Sequence, residues 1–135
     1  MSEVHVPVSF GELIDKITIL QIKSERMSDP AKLANVRTEL AALEATWSAA
    51  PESTLDIAGL WAALKAVNEK LWDIEDAVRA QEAAGNFGAG FIELARSVYI
   101  NNDERARIKR EINQVLGSDL VEEKSYRDYR NSNAS

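Results

Sequence analysis

The sequence predicts an all-α fold: an antiparallel four-helix bundle-like domain with a short extended N-terminal arm and a short C-terminal helix or tail. Three observations carry this. Apolar residues recur at alternating steps of three and four through four separate stretches, the pattern of helices with one buried face. Each stretch begins or ends on residues that start or stop helices. The connections are short, which makes sequence neighbours antiparallel. A chain of 135 residues can bury one core, so residues 1–135 are read as a single domain.

The arm covers residues 1–8, where Val4, Val6 and Val8 alternate with His5 and Pro7. Pro7 lacks a ladder donor, which restricts any strand here to a sheet edge. Ser9 and Glu12 form a capping-box pattern that opens the first helix, residues 9–27. Its apolar line is Phe10, Leu13, Ile17, Leu20 and Met27, thickened by Ile14, Ile19 and Ile22. Asp29 then caps a second helix, residues 30–48, with Pro30 in the first turn where its missing N–H costs nothing. Leu33, Val36, Leu40, Leu43 and Trp47 repeat along it.

After a break around Pro51, the third helix, residues 57–84, carries two stripes. Leu60, Leu64, Val67, Leu71, Ile74 and Val78 form a seam, and Trp61, Asn68, Trp72, Glu75, Arg79 and Glu82 run beside it. A helix with two such stripes faces two neighbours, so this one is expected to organise the fold. Gly85, Gly88 and Gly90 end it. The fourth helix, residues 89–116, keeps Phe91, Leu94, Val98, Ile108, Ile112 and Val115 in phase, while Asn101 and Arg105 take apolar slots. Asn101 or Asn102 could cap a fresh helix and divide this segment, but the phase is unbroken, which favours one continuous helix up to Gly117. Residues 118–135 form a charged tail, with a short helix expected around 120–124.

Hydrophobic residues make up 45% and charged residues 28% of the chain, the balance of a folded soluble protein. There is no cysteine, which excludes disulfides and thiolate metal ligands. No stretch approaches the roughly 18 apolar residues of a membrane span, and no signal peptide is visible. A cytoplasmic location is expected. The net charge of −6 argues against a nucleic-acid partner, since such modules present a basic face. His5, the one histidine, has no partner for a zinc site or a catalytic triad.

Three polar constellations stand out. Lys16, Lys23 and Arg26 share one side of the first helix. As a solvated face their stems would cover apolar surface; as a site they would form an anion-binding wall. On the third helix Asn68, Trp72, Glu75, Asp76 and Arg79 cluster, with Glu75 and Arg79 an i,i+4 pair. On the fourth, Asn101, Asn102, Asp103, Glu104 and Arg105 are followed by Lys109 and Asn113. A buried polar group in a seam is normally paired or useful. Either the second cluster locks the bundle's register and the third specifies partner or oligomeric state, or the two meet in a pocket, a recognised place for ligands.

The stretches 6–20 (VPVSFGELIDKITIL), 67–76 (VNEKLWDIED), 91–96 (FIELAR), 102–106 (NDERA), 109–113 (KREIN) and 122–126 (EEKSY) together resemble a family of short bacterial proteins known as a domain of unknown function, family 6165. The resemblance runs nearly the full length. It implies no activity, and its motif residues, Lys124 among them, overlap the polar clusters. The first helix is also similar to that of all-helical chorismate mutases, which implies a dicarboxylate held by lysines and arginines. That likeness covers one helix.

Two functions compete. The first is a non-catalytic protein-interaction or dimerisation module, linked to envelope or polysaccharide assembly, with a homo-oligomer or protein partner. It rests on Trp47 and Trp61 read as exposed, the polar seam at Asn101, and the tyrosines of the tail. The second is an enzyme or binding protein for a small anionic ligand: a sugar nucleotide, phosphate ester or dicarboxylate. There Lys16, Lys23, Asn68, Trp72, Arg79, Asn102, Arg105 and Lys109 would bind, with Glu75, Asp76 and Asp103 as catalytic candidates. No metal ligands are assigned and no cofactor is implied; Mg²⁺ enters under the second reading alone.

Overall fold

A computed structural model describes residues 2–130; position 1 of the expected arm and positions 131–135 of the expected tail lie outside the described residues. The architecture is all-α: α1 (Phe10–Arg26), α2 (Pro30–Ala49), α3 (Ala58–Ala84) and α4 (Ala89–Leu116), with a 3-10 turn at Pro51–Thr54 between α2 and α3. No strand occurs among the described residues. The arm is irregular and exposed up to Val8.

Local chemistry sets the ends. Ser9 caps α1 by accepting from the Glu12 N–H at 3.1 Å, but the Glu12 carboxylate turns away to Lys109 and Lys16, so the box is half made. Asp29 accepts from the Ala31 N–H at the start of α2. Gly85 and Gly117 end α3 and α4 at φ +69° and +65°, left-handed values that favour glycine. The N–H groups just beyond them, of Asn86 and Ser118, return to the carbonyls of Gln81 and Asn113. Helix α4 runs unbroken through Asn101, whose side chain bonds the Ser97 carbonyl.

The central helix is α1, not α3 as the two stripes suggested. Eight of its 17 residues are buried, and it packs against each of the other three helices. Leu13, Ile14, Ile17, Leu64, Val67, Ile108, Ile112 and Leu116 form the core, joined by Ile57. Helix α2 buries Val36 alone and lies on α1. Trp47 of α2 and Trp61 of α3, read as exposed, instead lie against each other with tilted rings 5.9 Å apart, and Phe10 stands edge-on to Trp47 at 6.2 Å. All three are half-buried over the core. The flank of α3 thus has a neighbour at Trp61, as its second stripe implied, and the reading of Trp61 as exposed is corrected.

The start of α1 sits on the end of α4. At a helix start the first N–H groups lack intrahelical partners. Here Gly11 donates to Asn113 Oδ1 at 2.7 Å, and Phe10 donates to Ser118 Oγ at 3.4 Å. The fit is close: a Cβ on Gly11 would stand 2.5 Å from the Lys109 carbonyl oxygen. Beyond Gly117 no helix occurs among the described residues, in contrast to the expectation for residues 120–124. Its groups are engaged otherwise, Ser118 Oγ with the Leu120 carbonyl and Glu122 with Lys109 at 3.0 Å.

Candidate functional site

One carboxylate joins three helices. Asp15 of α1 is 1% exposed and is gripped by both Nε and Nη2 of Arg105 from α4. Asn68 of α3 donates to the same carboxylate at 2.9 Å and to Thr18 Oγ1 at 3.0 Å. Thr18 in turn donates to the Asp15 carbonyl. No buried side-chain polar atom is left without a partner among the described residues, the condition under which a buried polar network rigidifies rather than destabilises. Asp15 holds the Arg105 pKa above its ordinary value, against the opposing effect of burial.

The network has an open side. A cleft of about 350 Å³ lies between α1, α3 and α4, lined by Ile19, Ile22, Asn68, Leu71, Trp72, Glu75, Asp76, Arg79, Asn102 and Arg105. The aliphatic residues make an apolar patch, and Trp72 stands beside them with the Arg26 guanidinium 5.9 Å from its ring. Arg26 is itself tied to Asp73 at 2.6 Å. Arg105 spends Nε and Nη2 on Asp15, so its Nη1 donors have no protein partner among the described residues. Arg79 pairs with Glu75 at 2.9 Å on the exposed rim. Each arginine of the cleft therefore meets a carboxylate, and Asp76 adds one more. The cleft offers directed donors and acceptors rather than net positive charge.

Seven of the residues singled out from sequence converge here: Asn68, Trp72, Glu75, Asp76, Arg79, Asn102 and Arg105. Four do not. Lys16 lies 3.8 Å from Glu12 on an exposed face, and Lys23 does not line the cleft. Asp103 faces the tail, 3.7 Å from Arg130. Lys109 is buried between Glu12 at 2.8 Å and Glu122 at 3.0 Å. Burial opposes its charge, but the two carboxylates outweigh that and hold its pKa above the ordinary lysine value.

Sequence reasoning missed Asp15, which holds the site together. A signal was present. Gly11, Asp15 and Thr18 follow one another at steps of four and three, and all three are buried. A stripe of small and polar residues beside an apolar seam marks a close helix contact with an internal polar network.

Among the described residues no three His, Cys, Asp or Glu side chains are grouped to hold a metal ion, and no helix is long and apolar enough to cross a membrane. Comparison with curated proteins and with solved structures finds no match. A family model does match, over residues 4–134, and it describes a family of unknown function. With nearly its whole length covered, the chain belongs to the DUF6165 family.

Proposed function

We propose that this chain is a non-catalytic cytoplasmic binding protein, an antiparallel four-helix bundle whose interhelical cleft takes a small polar ligand. The observation that carries this is Arg105. A buried carboxylate orients its guanidinium, yet its Nη1 donors are left for a group outside the protein. A guanidinium fixed before the ligand arrives loses little rotamer freedom on binding. Trp72 and the aliphatic residues suit the C–H face of a ring, while Asn102, Asp76 and Arg79 suit hydroxyls. Balanced charge favours a sugar, or the sugar part of a sugar nucleotide, over a bare polyanion.

A thermal-shift screen with sugars, sugar phosphates, sugar nucleotides and dicarboxylates tests this. A ligand at about 100 times its Kd should stabilise the fold by roughly 2.7 kcal/mol, a rise of several degrees in Tm. Trp72→Ala should abolish the shift. A flat panel, or a shift that survives Trp72→Ala, would contradict the reading.

A second reading, pairing with another copy of this chain, is favoured by the far half of the α3–α4 hairpin. No residue between positions 72 and 107 is buried, and Phe87, Ile92 and Ile100 are 57%, 56% and 44% exposed. Packing two hairpins together would cover this surface. Light scattering should then give a dimer that Ile92→Glu converts to monomer. A monomer at high concentration would remove the reading.

A further inference from the structure

The chain carries a net charge of −6, yet the outer face of α4 and the tail gather cations. After Gly117 the tail runs back along α4. Glu122 binds Lys109, Tyr129 stands edge-on to Tyr99 with ring centres 4.9 Å apart, and Arg130 reaches Asp103. This path sets Lys124 and Arg127 of the tail beside Arg107 and Arg110 of α4. All four line a cavity of about 330 Å³, which adjoins one of about 540 Å³ and shares Asp103, Lys124, Tyr126 and Arg127 with it. The smaller holds five cations against three carboxylates.

The surplus is not spread evenly. Arg107 is matched by Glu104 and Glu111, and Arg130 by Asp103 and Asp128. Arg110, Lys124 and Arg127 make no ion pair among the described residues; Lys124 instead stands 5.7 Å from the Tyr126 ring. Carboxylates dominate the chain as a whole, so three cations without an ion pair among the described residues, gathered in one cavity, make a local positive patch that attracts an anion. Guanidinium forks and an ammonium supply the donors a phosphate group takes. Tyr126, 80% exposed, adds a flat wall beside them.

We propose that this cavity between α4 and the tail binds a small phosphorylated ligand carrying at least two negative charges, a diphosphate or a phosphate monoester. Arg110, Lys124 and Arg127 together match one such group; the acidic remainder of the surface disfavours a long polyanion. The site is separate from the interhelical cleft, although Asn102 lines both the larger cavity and the cleft. It stands whether or not the cleft takes a ligand.

Calorimetric titration of the full chain with inorganic pyrophosphate, in about 50 mM salt to limit screening, tests it. One-to-one binding is expected. Arg110→Gln and Arg127→Gln should each weaken it about tenfold, the loss of a charge-assisted contact. Both residues are exposed, so the melting temperature without ligand should not move. Lys32→Gln on α2 and Trp72→Ala in the cleft should leave the affinity unchanged. No binding by the unmodified chain would overturn the proposal. So would equal weakening by Lys32→Gln, the mark of diffuse charge, or loss on Trp72→Ala with retention in the two arginine variants.

Discussion

Asp15→Asn is expected to destabilise the fold by about 3 kcal/mol, measured by denaturant unfolding. The substitution barely changes shape, so the cost comes from hydrogen-bond polarity. One carboxylate oxygen accepts from Arg105 Nε and Asn68, the other from Arg105 Nη2. Whichever oxygen becomes an amide NH₂ will face a donor. The Arg105 charge also loses its counter-ion, though its side chain is 29% exposed and keeps some hydration. That exposure places the effect at the low end of the range for a broken buried pair. Asp73→Asn provides the contrast: it too is bonded to an arginine, Arg26, at 2.6 Å, but Asp73 is 69% exposed, and a loss under about 1 kcal/mol is expected.

Gly11→Ala is expected to cost about 3 kcal/mol as well, for a steric reason. In an open helix this substitution would stabilise by up to about 1 kcal/mol. Here the new Cβ would lie 2.5 Å from the Lys109 carbonyl oxygen and 3.1 Å from Asn113 Oδ1. Backbone cannot swing aside as a side-chain tip does, so α1 must lift from α4. The Gly11–Asn113 bond, 2.7 Å long, would stretch with it, adding a buried hydrogen bond to the strain. Gly59→Ala is the control, since nothing lies within 4 Å of its Cβ position. A stable Gly11→Ala protein would show that the two helices are not in close contact.

What the sequence made legible divides along the line between local and distant chemistry. Ser9, Asp29, Gly85 and Gly117 act on backbone within a few residues of themselves, and each caps the helix end it marks. The unbroken phase across Asn101 likewise reflects one continuous helix. Contacts between residues far apart were another matter. Asp15 does not stand out along the first helix because its partner Arg105 lies 90 positions away. Trp61 reads as exposed because the ring that covers it, Trp47, belongs to another helix. The tail reads as helical around Leu120 because propensity takes no account of Lys109, which draws Glu122 down onto α4. In the cleft, sequence picked out Arg105, Trp72 and Asn102 as polar or aromatic residues at unusual positions, but not the carboxylate that aims the arginine.

Asp15 and Arg105 act as one unit, and a double-mutant cycle measures that directly. Asp15→Asn, Arg105→Met and the double variant would be unfolded in denaturant at neutral pH. Each single change should be strongly destabilising, and the double should cost less than their sum by about 2 kcal/mol or more, because removing the second partner also removes the stranded charge. Additive losses, with a coupling below about 0.5 kcal/mol, would contradict the account: the two side chains would not be joined, and Arg105 would not be held at the cleft.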